Sequence, residues 1–460
     1  MTRSAKFLFL LALAVLAPRI TLGQEAVIQE LSLDECIAYA LDKNPNVFIA
    51  QTEIEVSEKV VKENVSIGLP QLTANVNLSD NLIVPTSFIP EIIFNPDADP
   101  SSLVPVQFSP QYQGSAGFSL SQMVFDGSFF VGLEAAKTFK ELSVKEAEQT
   151  QIDVITNVTK AYYTALWSME TMELTEKNYG RLDSLLRETT VMYENGFVEK
   201  IDVNRIKVQF NNIKVQRNNS KRQLSIAYML LKFQMGMPVN EHIILKERIS
   251  EMKFNVEELQ TMTYDYSNRI EYSILQTNQQ LQTLEKKRTG SMYIPSLYLN
   301  AGYGYTMGGQ TFGDYTNFND QWFENGSIGL NLSVPIFDGL SKSAKIQQSK
   351  LKLMQIEKSM SNLKNSIDLD VQQQRINLEG QLENINAQQE NMTLAEEVYD
   401  VSKIKYQQGL GSNIEVIEAD ASFKEAQVNY YTALYDALVT YVDLEKALGR
   451  TIQNYQNRLQ

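Results

Sequence analysis

Residues able to do chemistry are sparse in this chain, and their spacing excludes most reactions. The lone histidine, His242, leaves no material for a histidine-based metal centre or a His-centred triad. It lies between a helix end and an apolar run, which suits a structural role. The lone cysteine, Cys36, excludes a disulfide framework and a cysteine-rich zinc site. A Ser-x-x-Lys pair, as in penicillin-recognising nucleophiles, occurs at Ser250–Lys253, Ser349–Lys352, Ser361–Lys364 and Ser402–Lys405. None has its companion motifs, and four hits in helical segments rich in Ser and Lys read as chance. No Gly-Lys-Ser/Thr loop is present to cradle a nucleotide phosphate. Carboxylates are plentiful but scattered along helix faces, where a solvated surface is the plain reading. The expectation is a protein without catalytic residues, metal or cofactor, and not an enzyme.

Two short segments concentrate informative polar residues. One runs from Tyr193 through Gly196, Phe197, Glu199 and Lys200 to Asp202. The other runs from Tyr406 through Gly409, Leu410, Gly411 and Glu415 to Glu418. Gly196 and Gly409 suit a chain reversal at a helix C-terminus. Glu415 and Glu418, three residues apart, share a face of the returning helix. Around a threefold axis they would supply six carboxylates, and a narrow ring of that kind admits cations and slows anions. The same acids also suit the first turn of any helix, so residue type alone leaves both roles open.

The elements that must position these turns come in duplicate. Phe125-Asp126-Gly127 returns as Phe337-Asp338-Gly339, Tyr193-x-x-Gly196 returns as Tyr406-x-x-Gly409, and Gly236 returns as Gly449, at offsets of 212 or 213. Upstream, Leu69-Pro70-Gln71-Leu72 corresponds to Ile294-Pro295-Ser296-Leu297 at an offset of 225. The first half therefore carries extra chain between Pro70 and Phe125. Residues 82–111, with six prolines, read as an irregular loop that accounts for it. The expected organisation is a signal peptide over 1–23, a first repeat over 24–236, a connector over 237–267, a second repeat over 268–449 and a tail over 450–460. Each repeat reads as a helix, two strands and a long helical hairpin. The strands are expected at about 71–81, 113–125, 296–306 and 326–336, and the hairpins at 128–236 and 340–449.

The strand windows alternate with period two. Ile328, Leu330, Leu332, Val334 and Ile336 interleave with Ser327, Gly329, Asn331 and Ser333. One apolar and one polar face on about ten residues per strand fit a membrane barrel with lipid outside and water inside. A soluble sandwich would need a second sheet, and only four convincing strands are present. Four strands cannot close in lipid, where open edges are not tolerated, so other copies must complete the sheet. Three copies give twelve strands. A trimer is the smallest comfortable answer, although strand count alone leaves dimer and tetramer open. The hairpins are unusually long: about 65 residues without Pro reach on the order of 100 Å. Their apolar residues form a narrow seam (Ile367, Val371, Leu378, Leu382, Ile385) on a polar helix, which suits a coiled-coil wall around a hollow tube.

Arg3 and Lys6 precede an apolar run from Phe7 to Ala17, with small or polar residues near Gly23. That layout is a secretory signal peptide, and the run is too short for a membrane anchor. The 41 Lys and Arg face 55 Asp and Glu, a net charge of −14. Removing residues 1–23, with Arg3, Lys6 and Arg19, would leave −17. Such a balance argues against nucleic acid. Cys36, between acidic neighbours, reads as a buried free thiol and not as a lipid-attachment site.

Together these motifs resemble the TolC-like outer-membrane efflux and secretion channels over nearly the whole mature chain. The resemblance rests on Ala40-Leu41-Asp42-Lys43-Asn44-Pro45, both Pro-x-Leu strand entries and both Phe-Asp-Gly strand exits. The Tyr-x-x-Gly turns followed by Ile201-Asp202-Val203 and Ile414-Glu415-Val416 complete it. It implies an α+β membrane protein of Gram-negative bacteria: a homotrimer with a twelve-stranded outer-membrane β-barrel on a long periplasmic α-helical barrel closed at its tip. It also implies docking to a periplasmic adaptor and, through it, to an inner-membrane pump. Glu415 and Glu418 fall on the family's acidic aperture ring, and Asp202 and Tyr406 on its tip-closing network. Gly196-Phe197 and Gly409-Leu410 match the tips that meet the adaptor. The basic member of the closing network falls at Gly411, a departure that leaves the tip looser or passes the role to Lys200, Lys403 or Lys405. The expected function is an exit duct for small molecules. A duct for protein secretion and a non-pore envelope coiled coil are the alternatives.

Overall fold

The computed structural model describes residues 29–252 and 263–459. The expected signal peptide and residues 253–262 of the connector lie outside them. In chain order the elements are β1 (Gln29–Leu31), α1 (Leu33–Lys43), α2 (Pro45–Ser66), β2 (Gln71–Asp80), β3 (Ser87–Pro90), β4 (Leu103–Val106) and β5 (Tyr112–Phe125). Then follow α3 (Gly127–Glu194), α4 (Lys200–Met235), β6 (Ile243–Leu245), α5 (Ile270–Ser291), β7 (Ser296–Gly309) and β8 (Trp322–Ser333). The last are α6 (Ser341–Gln407), α7 (Asn413–Ala447) and α8 (Thr451–Arg458). Among the described residues no helix is long and apolar enough to cross a membrane. Two compact units share the chain, one from residues 1–47, 151–263 and 370–460, the other from 48–150 and 264–369.

The second unit holds an antiparallel sheet in the order β2-β5-β7-β8. Register carries the alternation across all four strands: Leu72 pairs with Leu120, Leu120 with Ala301, and Ala301 with Ile328. One residue along, Thr73, Ser119, Gly302 and Ser327 form the matching polar row. Because side chains alternate sides, one face is apolar and the other polar. Leu72, Val76, Phe118, Ile328, Leu330 and Leu332 are all largely exposed within the single chain. A monomer rarely leaves a patch of that kind uncovered in water.

Two sequence expectations are corrected in this unit. The fourth strand spans 322–333, not 326–336. Pro335 has no N–H to offer a ladder, so pairing stops at Ser333 despite the continued alternation. The strand starts earlier because β7 runs on to Gly309, and Met307 pairs with Trp322. Residues 82–111 are not wholly irregular either: β3 pairs antiparallel with β4, with Pro90 and Pro105 in an isolated two-stranded ladder. Each strand there has a free edge, which tolerates proline.

The duplicated Phe-Asp-Gly motif has a mechanical role. Asp126 Oδ1 accepts from the Ser128 and Phe129 N–H groups at 2.8 and 3.3 Å, capping the first turn of α3. Asp338 Oδ2 accepts from the Lys342 N–H at 3.0 Å at the start of α6. A strand is thus turned into a long helix by one carboxylate that takes up orphan N–H donors. The second copy needs more bending, and Gly339 and Leu340 both adopt positive φ.

In the first unit, α1 packs Cys36, Ile37 and Ala40 against Tyr162 and Leu166 of α3, Leu231 and Met235 of α4, and Leu438 and Val442 of α7. Ser32 and Glu35 form a capping box at the α1 start. Parallel β1 and β6 edge this core. The residues expected as a tail form α8, held by Arg458 to Asp34 at 3.0 Å and by the buried Tyr455. The four long helices mesh at heptad spacing. Buried residues recur seven apart on α4 at Ile206, Ile213, Ser220 and Ala227; on α6 the same phase buries Val371 and Leu378, then Tyr399 and Tyr406, with Ile385 and Met392 half-buried between them. Each fully buried Leu or Ile stabilises the bundle by about 1.5–3 kcal/mol.

Candidate functional site

Both helical hairpins reverse through the same motif. At the end of α3, the Phe197 N–H donates to Met192 O at 2.9 Å and the Gly196 N–H to Tyr193 O at 3.0 Å. At the end of α6, the Leu410 N–H donates to Lys405 O at 2.8 Å and the Gly409 N–H to Tyr406 O at 3.0 Å. These are Schellman closures, which place the glycine in the left-handed region, and Gly196 and Gly409 have φ of 76° and 74°. The residue after each glycine is thrust outward: Phe197 and Leu410 are both 78 % exposed. Asn413 Nδ2 donates to Asp202 O at 3.0 Å, bringing the starts of the two returning helices together.

Around these turns the expected site residues separate. Tyr406 is buried and its hydroxyl lies 3.4 Å from Thr189 Oγ1; burial pushes the phenol above its usual range. Asp202 takes a different partner set. Its Oδ2 accepts from the Glu199 N–H at 3.3 Å, and its Oδ1 lies 3.5 Å from Arg205 Nη1. No hydrogen bond joins Asp202 to Tyr406 within the chain. Glu415 stands at the third position of α7, where its N–H donates to the capping Ser412 Oγ at 3.3 Å. Glu415 and Glu418 are both exposed, and neither forms an ion pair within the chain among the described residues. Their side chains thus sit on one open face of the first turns of α7.

Gly411 closes tightly on its own turn. A Cβ there would lie 3.1 Å from Lys405 Cβ. Lys200, Lys403 and Lys405 make no ion pair with Asp202 within the chain; the cation beside it is Arg205.

The sequence reading missed a second polar cluster further along the hairpins. Arg181 of α3 pairs with the buried Asp420 of α7 at 3.1 Å, and Lys424 pairs with the other Asp420 oxygen. The guanidinium lies 4.9 Å from the centre of the Tyr399 ring and 4.8 Å from that of Phe423. These residues tie α3, α6 and α7 together inside the core that also holds Tyr406. Only the heptad phase could have signalled them. Arg181 lies in a stretch whose neighbours Leu182 and Leu185 are buried, but its partner is 239 residues away.

Comparison with known proteins agrees with this architecture. The chain matches the family described as Outer membrane efflux protein over residues 36–237 and 271–450. It is 21% identical to the outer membrane protein TolC of Vibrio cholerae over 337 residues, 73% of this chain and 76% of that protein. Its fold resembles the Campylobacter jejuni CmeC outer membrane channel, with a TM-score of 0.70, 17% identity and coverage of 92% and 88% of the two chains. It likewise resembles the open Neisseria gonorrhoeae MtrE outer membrane channel, with a TM-score of 0.69, 17% identity and coverage of 91% and 88%. The family match, over well more than half its length, makes this chain a member of the outer membrane efflux protein family, an outer-membrane protein with a large periplasmic part.

Proposed function

We propose that the chain forms a homotrimeric exit duct, passive in itself, through which small molecules such as drugs leave the periplasm. An inner-membrane pump would drive them, coupled through a periplasmic adaptor docked on the hairpin tips around Gly196, Phe197, Gly409 and Leu410. The observation that carries this reading is the four-stranded sheet. One face is an exposed apolar surface, the other is polar, and among the described residues β2 and β8 have no partner on their outer edges. Closing those edges with copies of the same chain would give a barrel of twelve strands, lined by polar side chains and faced by lipid. Glu415 and Glu418 would ring the periplasmic aperture with six carboxylates and favour cations. Asp202 and Tyr406 would help hold the tip closed.

Planar-bilayer conductance of the purified protein tests the duct. A cation-selective conductance is expected, and a Glu415→Gln/Glu418→Gln double variant should lose most of that selectivity. Absence of any conductance would remove the duct, and unchanged selectivity in the double variant would remove the filter.

A further inference from the structure

In a chain of net charge −14, α4 stands out: it carries eight Lys and Arg (200, 205, 207, 214, 217, 221, 222 and 232) and one acid, Asp202. Lys207, Lys214 and Lys221 are seven residues apart and exposed. Seven residues are close to two turns, so the three lysines form one stripe along the helix. Beside them runs a second heptad series, Ile201, Val208 and Val215, which is apolar and exposed. The buried seam of the same helix, Ile206, Ile213, Ser220 and Ala227, faces the other way.

The hairpin-forming half of α6 is the mirror of this in charge. Residues 370–407 hold seven acids and three bases. Glu383, Glu390 and Glu397 are again seven apart and exposed. Beside them lies the series Ala387, Leu394 and Val401, with the leucine and valine largely exposed. Its buried seam is the Val371–Leu378–Tyr399–Tyr406 series. None of these three lysines or three glutamates forms an ion pair within the chain among the described residues.

Packing inside the chain explains why both stripes are free. α3 engages α4 through Glu176 and Arg217 at 2.6 Å, and α7 through Lys160 with Asp443 at 2.5 Å and Asp153 with Lys446 at 2.7 Å. α6 stacks Tyr399 on Phe423 of α7. No hydrogen bond, ion pair or ring contact joins α4 to α6 among the described residues. The two helices flank the group, and their outward faces carry opposite charge at the same repeat. They also run in opposite senses from tips that the Asn413–Asp202 and Thr189–Tyr406 contacts keep level. Antiparallel heptad stripes of opposite sign stay in step along their length.

We infer that the α4 face of one copy seats on the α6 face of the next, with Lys207, Lys214 and Lys221 running alongside Glu397, Glu390 and Glu383 in that order. The apolar series supply the contact surface, and the charges fix which helix meets which and block like-with-like pairing. This rests on the homotrimeric reading above and assigns the side chains that make its helical seam.

Three proteins test it: Lys207→Glu/Lys214→Glu/Lys221→Glu, Glu383→Lys/Glu390→Lys/Glu397→Lys, and the six-fold combination. Detergent-solubilised material is sized by light scattering at low and high salt, with helix content by circular dichroism as the folding control. An exposed pair changes an equilibrium by roughly a factor of two to five. Either triple variant should therefore raise the dissociated fraction by on the order of tenfold at low salt. Restoration in the combined variant would support the pairing. A combined variant as weak as either triple would overturn it. So would a lysine variant that stays trimeric at all salts yet no longer retains the periplasmic adaptor, since the stripe would then belong to the adaptor. As a second measurement, carbodiimide coupling of mixed isotope-labelled wild-type subunits should join these lysines to these glutamates between chains; links within one chain only would overturn the assignment. Wild-type protein that sizes as a monomer would defeat the trimer itself, a result distinct from all of these.

Discussion

Arg181 places its guanidinium 3.1 Å from the Asp420 carboxylate while lying within 5 Å of the centres of both the Tyr399 and Phe423 rings. Asp420 is almost wholly buried, so its carboxylate must find its partners within the protein. Arg suits this position better than Lys, because a flat guanidinium can stack and pair at once. Lys424, one turn along α7 on the other Asp420 oxygen, shares the load.

Removing Arg181 should cost more than losing a surface pair. Arg181→Ala leaves Asp420 with Lys424 alone and opens the space between two rings. A loss of about 2–3 kcal/mol is expected, below the full effect of stranding a buried charge. Arg181→Lys should lose about 1 kcal/mol, because charge is kept and stacking is not. Arg181→Ala/Asp420→Asn should recover part of the loss. Thermal melts of the detergent-solubilised protein give all three values.

Much of the fold was legible because its signals are local and repeated. Period-two alternation located β2, β5 and β7, and absence of proline located α3 and α6. The glycine turns at 196 and 409 appear as Schellman closures because a positive φ is costly for other residues. Legibility failed where backbone pairing overrode the apolar pattern or where non-local contacts decide. Pro335 ends β8 while the apolar alternation runs on to Ile336. At the upper end of the same strand, Glu324 interrupts the pattern, yet its Oε1 accepts from the Tyr303 and Tyr305 hydroxyls at 3.0 Å each. The Arg181–Asp420 pair was invisible for the same reason: nothing within a few residues of either side chain points to the other.

Two carboxylates should give the protein opposing responses to pH. Burial pushes the Glu445 carboxyl above its ordinary value, although it accepts from Asn454 Nδ2 at 2.8 Å. A raised carboxyl favours the protonated form, so its contribution is complete below the unfolded value and is lost as pH rises through the folded one. Glu445→Gln should therefore raise the melting temperature at pH 7 and leave it unchanged below the ordinary carboxylate range, where the wild-type side chain is protonated in both states. Glu35 behaves oppositely. Hydrogen bonds from Lys246 and from the Ser32 N–H hold it at about 2 against an ordinary 4.5. Its contribution is present above 4.5 and lost as pH falls towards 2. Glu35→Gln should be destabilising at pH 7 and converge with the wild type across that window. Melting curves at several pH values separate the two.

The sheet is most sensitive where Gly117 pairs with Gly304. A Cβ on Gly304 would lie 2.5 Å from Ala116 O and 2.7 Å from Gly117 Cα, which are backbone atoms that cannot swing away. Gly329, on the neighbouring strand, has nothing within 4 Å of its Cβ position. Gly304→Val should cost about 2 kcal/mol or more through strand displacement. It should sharply lower the yield of folded protein in outer-membrane fractions, while Gly329→Val stays near wild type. Equal yields of the two variants would show that the β5–β7 contact is looser than its geometry requires.

Cys36 should be chemically silent in the native protein. It is fully buried among Ile37, Tyr162 and Leu166, and burial pushes the thiol up to about 12, with the nearby Glu247 and Glu35 charges adding to the effect. The thiolate is the reactive form, and a thiol pushed up to about 12 holds very little of it at neutral pH. Maleimide labelling of folded protein should therefore be slower than that of urea-unfolded protein by at least about a hundredfold. Labelling should follow the unfolding transition itself when urea is titrated, because α1 must leave the core to expose the sulfur. Rapid labelling well before that transition would mean that α1 opens independently of the long helices, and that the core around Tyr162 and Leu231 is less cooperative than its burial implies.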